Sequence, residues 1–265
     1  MPASSTSTAP RPLAIVGALH EELRALAPLV CDARTVQIAG RSFLCGAAHG
    51  RPVVLALSGI GKVAAATTAT LLLHTFDAHA LIFTGVAGGL GAGVNVGDVV
   101  VARQLVQHDM DVSPLFPRYV VPSSGRSHFD VDAGLADGLA EAAARCLANA
   151  GERLGAAALA HFGIRVGQLR MHRGLVVSGD RFVSSQAQSD ALRAALPAAL
   201  AVEMEGAAVA QVCSEFGRPF AVLRTVSDRA DDAAHVDFTG FIDAVASVYT
   251  REIVGDWLQR HAARA

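Results

Sequence analysis

The chain has 265 residues, 52% of them apolar, and a formal net charge of −2. That length suits one large α/β domain as readily as two small ones. The balanced charge, with no basic stripe, gives no electrostatic footing for nucleic acid, and no apolar run reaches the roughly 18 residues that suggest a membrane span. The apolar excess therefore describes a large core and a buried subunit interface.

Residues 1–11 are small and polar and lack the apolar region of a signal peptide, so they read as a disordered tail ahead of one domain over 12–265. Leu13–Val16 is a short apolar run closed by Gly17, a buried strand, and HEELRALAPLV (20–30) reads as a helix. Val53–Leu57 is a second buried strand ending at Ser58-Gly59. Lys62–Phe76 carries apolar residues at helical spacing. Ala80–Phe83 is a strand ending at Thr84-Gly85, and Val99–Leu105 is another after the turn Asn95-Val96-Gly97-Asp98.

Residues 113–127, rich in Pro, Ser and Gly with two aromatics, form a long loop, and such loops are often functional. Ala133–Leu147 is an Ala-rich helix. Residues 150–172 combine features of a helix end, a loop and a strand. Gly174–Val177 is a strand ending at Ser178-Gly179-Asp180. Ser189–Ala195 is a helix stopped near Pro197, Ala199–Val202 is extended, and Met204–Phe216 is helical. Pro219–Val226 is a strand ending at Ser227-Asp228, and the last helix covers Phe241–His261.

The recurring unit is an apolar strand, a tight Gly/Ser/Asp turn and a helix. It predicts an α/β fold: one three-layer domain whose central mixed, largely parallel sheet is flanked by helices. Ligands gather at the carboxyl ends of such strands, where Gly17, Ser58, Thr84, Asp180 and Asp228 all fall. Four cysteines, none in a CxxC pair, read as small buried residues of a reducing compartment, which implies a cytoplasmic protein.

Several motifs fail their own tests. SGIGK (58–62) resembles a phosphate loop, but Ala56 stands where the first glycine belongs and Val63 where Ser or Thr belongs. TGVAGGLGAG (84–93) has Gly89 and Gly91 of a dinucleotide fingerprint but Val94 in place of the third glycine. Its glycines suit a wall that lets backbone approach a flat ligand. HDMD offers His108, Asp109 and Asp111 without a second cluster at ligand spacing, so no metal and no cofactor are predicted. Lys62 is the only lysine. The remaining signals are carboxylates at strand ends: Glu21-Glu22, Glu203-Met204-Glu205 and Asp228. Each has a plain structural reading, as a helix N-terminal acid or an N-cap. Their joint placement at one edge of a parallel sheet favours chemistry.

IVGALHEEL (15–23), SGIGKVAAA (58–66), TGVAGGL (84–90), VGDVVVA (96–102), HDMDV (108–112), VSGDRFV (177–183), AVEMEGAAVAQVC (201–213) and LRTVSDRAD (223–231) run nearly end to end. In this order they resemble the 5'-methylthioadenosine/S-adenosylhomocysteine nucleosidases of the nucleoside phosphorylase superfamily. The resemblance implies hydrolysis of the N-glycosidic bond of a 5'-modified adenosine with release of adenine. It implies that Glu22 activates water and that Asp228, beside Ser227, protonates N7 of adenine. Glu205 would bind the ribose hydroxyls, with Met204 on the sugar and Glu203 nearby. Phe182 would stack on the base and the Val183 backbone read its edge. Arg224 would lie on the nucleophile side, and Ile60 and Phe238 in an apolar 5' pocket. It further implies a homodimer in which the loop after HDMD, near 113–118, reaches the partner's site through Phe116 or Leu115. The chain departs from the family where Leu19 replaces a common Met, Val86 a common Ser, and His20 a commoner acid.

The chemistry has its own logic. Adenine leaves poorly as an anion, so an acid must protonate it, and a buried Asp can do so. Water attacks opposite the base, so a second carboxylate stands across the sugar, as in inverting glycosidases. Two rivals compete. A phosphate-dependent phosphorylase of the same superfamily would need cations near the glycine-rich turn, where Glu22 would repel phosphate. A non-catalytic nucleoside-binding protein on the same fold would need no acid–base pair.

Overall fold

The structure, a computed structural model, describes residues 10–231 and 237–261. Most of the expected tail thus lies outside the described residues. At its end Arg11 is already held, its guanidinium paired with Asp77 just ahead of the first strand.

Among the described residues ten strands form one sheet system: β1 (Leu13–Gly17), β2 (Cys31–Ile38), β3 (Arg41–Ala48), β4 (Arg51–Leu57), β5 (Ala80–Gly89), β6 (Val99–Gln107), β7 (Phe129–Asp130), β8 (Met171–Ser178), β9 (Ala199–Glu203) and β10 (Phe220–Asp228). Strands β4, β1, β5 and β10 are mutually parallel neighbours, and β6, β8 and β9 are parallel to one another. Antiparallel joints at β10/β6 and β5/β9 connect the two sets, so β5, β10, β6, β8 and β9 close into a ring while β4, β3 and β2 extend outward. This is the mixed sheet expected.

The helices are α1 (His20–Arg24), α2 (Lys62–His74), α3 (Ala133–Ala148), α4 (Ala150–His161), α5 (Gln186–Ala195), α6 (Gly206–Glu215), α7 (Phe238–Phe241) and α8 (Ser247–His261), with a π-helical turn over Ile242–Ala246. Side chains alternate across the strands, as a period of two requires. Leu13, Ile15 and Ile82 pack with α3 and α8, whereas Ala14, Val16, Leu81 and Phe83 pack with α2 and α6. That alternation produces the three layers.

Three local expectations need correction, and one open segment takes a definite form. The helix begun at His20 ends at Arg24, because Pro28 cannot donate an i→i−4 bond and starts a 3₁₀ turn instead. Strands β2 and β3 were not anticipated: β2 is an edge strand with almost no buried side chain, and so carries little hydrophobic pattern. Cys31 opens that strand and is exposed, unlike the buried Cys45, Cys146 and Cys213. Residues 150–172 resolve into α4, kinked where Gly155 takes φ +76°, then a 3₁₀ turn at Val166–Gln168 and the start of β8. Among the described residues no helix is long and apolar enough to cross a membrane.

Candidate active site

A cleft opens where β1, β5 and β10 end and where β8 and β9 meet them. At one side stands Glu22, only 1% exposed. The turn from β1 into α1 wraps its carboxylate: Ala18 N–H donates to Oε2 at 2.6 Å and Leu19 N–H at 2.9 Å. Val86 N–H donates to Oε1 at 3.2 Å. The fit requires glycine at 85, since a Cβ there would lie 2.7 Å from Oε1. Burial pushes the Glu22 carboxyl above the ordinary carboxylate value, while these three N–H donors and the charge of Arg224 oppose the shift. A carboxylate so held is a stronger base than one in water.

Asp228 ends β10 at the other side and is also buried. Ala230 N–H donates to Oδ1 and the Ser227 hydroxyl to Oδ2, both at 2.7 Å. A Cβ on Gly88 would come within 2.9 Å of Oδ1. Gly85 thus abuts Glu22 and Gly88 abuts Asp228. The two glycines are three residue steps apart, about 10 Å of extended strand, so the two carboxylates meet β5 at separate points.

Between them lie Glu203, Glu205 and Arg224. Arg224 is 1% exposed; its Nη2 donates to Glu203 Oε2 at 2.6 Å, and its guanidinium lies 4.1 Å over the Phe83 ring. Its Nε is buried without a hydrogen-bond partner in the structure. Glu203 also accepts from the Ser178 hydroxyl and from the N–H groups of Glu205 and Gly206. Both its oxygens are therefore engaged with protein, and its role is to hold Arg224 and the start of α6. Glu205 has one oxygen bonded, Oε1 accepting from Gly61 N–H at 2.9 Å. Burial, then the adjacent Glu203 charge, push its carboxyl up to about 7, against the pull of Gly61 N–H and Arg224.

The walls are apolar. Phe182 and Phe238 meet edge to face with ring centres 6.2 Å apart. Leu19, Ile60, Val86, Val183 and Met204 complete the lining, together with Ser227.

This arrangement has known counterparts. The family model of the phosphorylase superfamily matches residues 12–254. A 5'-methylthioadenosine/S-adenosylhomocysteine nucleosidase of Anoxybacillus flavithermus is 36% identical over 242 residues, covering 91% of this chain and 95% of its own. The chain belongs to this nucleosidase family. Among solved structures, the family enzyme from Neisseria meningitidis in complex with methylthio-immucillin-A superimposes with a TM-score of 0.82 at 33% identity, covering 94% of this chain and 99% of that one. A futalosine hydrolase from Helicobacter pylori strain 26695 gives 0.80 at 30% identity, covering 94% and 99%.

Of the positions expected from the nucleosidase motifs, the structure brings together Glu22, Asp228, Glu203, Met204, Glu205, Phe182, Val183, Ser227, Arg224, Val86, Ile60, Leu19 and Phe238. Phe116 is not among the residues lining the cleft; it stands half-exposed on the 113–119 loop. His20 is exposed. Sequence reasoning missed Arg181, which lines the cleft, and the backbone donors of Ala18, Leu19, Val86 and Gly61. The unusual density of glycine at 85, 88 and 89 was the available signal for close backbone approach. HDMD also finds a use: Asp109 accepts from the Lys62 ammonium at 2.6 Å.

Proposed function

We propose that the chain hydrolyses the N-glycosidic bond of 5'-methylthioadenosine and S-adenosylhomocysteine, releasing adenine. Asp228 donates a proton to N7 as the bond from C1' to N9 breaks, so the base leaves neutral. The sugar becomes oxocarbenium-like, and Glu205, bound to the ribose hydroxyls, fixes and stabilises it. Glu22 takes a proton from the water that attacks C1' from the opposite face, giving the free 5'-modified ribose. The observation that carries this reading is the pair of buried carboxylates at opposite sides of one cleft, Glu22 clasped by three N–H donors and Asp228 by an N–H and a hydroxyl, each against a glycine of β5. Met204 packs on the sugar, Phe182 stacks on adenine and the Val183 backbone reads its edge. Leu19, Ile60 and Phe238 receive the apolar 5' group.

Hydrolysis is favoured over phosphorolysis because the buried Glu22 carboxylate stands on the nucleophile side and the nearby Arg224 is neutralised by Glu203. The charge of a buried Glu22 carboxylate disfavours a phosphate dianion beside it. Adenine release at full rate without phosphate supports the reading. Strict phosphate dependence with a pentose-1-phosphate product overturns it, as does binding without turnover.

We further propose a cytoplasmic homodimer in which a partner's 113–118 loop closes the 5' pocket. Leu115, 82% exposed, and Phe116 support this by presenting unburied apolar surface. The four unpaired cysteines fit a reducing compartment. Sedimentation that gives a monomer, or a Phe116→Ala variant with unchanged KM, rejects the loop assignment.

A further inference from the structure

Three motifs outside the acid–base chemistry converge on one contact. The first two N–H groups at the start of α2 need partners beyond the helix, and both find carboxylates: Glu205, which lines the cleft, and Asp180, next to Arg181 of its wall. Gly61 N–H donates to Glu205 Oε1 at 2.9 Å, and Lys62 N–H to Asp180 Oδ1 at 2.7 Å. The Lys62 side chain then crosses to the end of β6, where Nζ donates to Asp109 Oδ1 at 2.6 Å and to Gln107 Oε1 at 3.1 Å. The other oxygen of Asp109 accepts from Asp180 N–H at 2.9 Å. Lys62, Asp109 and Asp180 thus form a closed triangle in which each residue bonds the other two. Gly61 takes φ +96°, and a Cβ there would sit 3.1 Å from Asp180 Oδ1, so the triangle also depends on a glycine.

The triangle joins two segments with different duties. Residues 58–62 carry Ile60 and the N–H that holds Glu205. Residues 179–183 carry Phe182 and Val183 at the base side. We propose that the Lys62–Asp109–Asp180 clamp is a positioning device that sets the distance between the ribose-binding and base-binding walls of the cleft. The assignment of those walls rests on the nucleosidase reading. Its parts come from three separate chain segments, and the long Lys62 side chain spans from the start of α2 to the end of β6. The Lys62 side chain is 16% exposed and that of Asp109 33%, so water screens the pair only in part. His108, next to Asp109, is buried under Gly179, which lowers its pKa and keeps it from competing as a cation.

A clamp that spaces binding walls affects ground-state binding more than the proton transfers. Steady-state kinetics of Lys62→Met, Asp109→Asn and the double variant, with adenine affinity by calorimetry, test this. We expect KM and the adenine Kd to rise about tenfold in each single variant, the size of one charged hydrogen bond lost, with kcat within about threefold of the native value. The double variant should be no worse than either single one, since both remove the same link. Lys62→Arg, which keeps the charge, should recover most of the affinity. Unchanged KM and Kd, additive effects in the double variant, or a loss confined to kcat overturns the proposal. So does loss of folding in both single variants, which would make the contact a requirement of the fold. Failure of the nucleosidase reading would instead appear as no turnover by the native chain.

Discussion

Replacing Glu205 by Gln should stabilise the protein while weakening it as an enzyme. In the folded chain burial and the Glu203 charge raise the Glu205 carboxyl from its ordinary value to about 7. A carboxyl raised by folding is favoured in its protonated form. Its folded state therefore loses stability as pH climbs from the unfolded value, near 4.5, through the folded one. At about 1.4 kcal/mol per unit, ionised Glu205 costs the fold on the order of 3 kcal/mol at pH 8 but only on the order of 1 kcal/mol at pH 5. Gln keeps an oxygen to accept Gly61 N–H and removes the charge. The variant should melt above the native protein, with a gap that widens from pH 5 to pH 8. At about 2–4 °C per kcal/mol for a chain of this size, the gap at pH 8 is roughly 6–12 °C. On the ribose-binding role proposed for Glu205, kcat/KM in the same variant should fall about 10- to 100-fold as charge-assisted bonds to the hydroxyls are lost. Thermal unfolding followed by circular dichroism at four pH values, beside an adenine-release assay, reads both. A gap independent of pH, or a variant less stable at pH 8, would refute the reasoning.

Other substitutions separate the roles around the cleft. Asp228→Asn should fold normally and lose about 100- to 10,000-fold in kcat, the usual contribution of a general acid; near-native turnover removes Asp228 from that role. Glu22→Gln should lose turnover to a similar degree yet bind a substrate analogue with little change, read by calorimetry beside single-turnover kinetics. Gly85→Ala places a Cβ 2.7 Å from Glu22 Oε1, so kcat should drop with KM nearly constant; native kinetics would show that Glu22 need not sit there. Asp98→Ala should cost about 3 kcal/mol in urea denaturation. Asp98 is buried, pairs with His172 Nε2 at 2.7 Å and accepts from Asn95 and Arg170 N–H, while its carbonyl binds Val226 two residues before Asp228. A loss under about 1 kcal/mol would mean those donors find water instead.

Much of the fold was legible locally. Strands β1, β4, β5, β8 and β10 are short apolar runs closed by Gly, Ser or Asp, and β5 and β10 are buried on both faces, so their pattern survives in any window. Strand β2 escaped because its side chains face water and nothing apolar marks them. The helix after β1 was read too long because its apolar spacing continues past Arg24, where Pro28 redirects the chain.

By itself the sequence determined which carboxylates lie at strand ends and that an apolar parallel core would gather those ends on one side. Both follow from residue order and side-chain period. Tertiary structure alone decided which groups each carboxylate meets. Gly61 reaches Glu205 across 144 residues and Val86 reaches Glu22 across 64. Glu203 and Glu205, two positions apart on the chain, differ in duty because the ring of strands brings Arg224 to one and the start of α2 to the other. Partners that distant are set by strand order and closure, which no local pattern encodes.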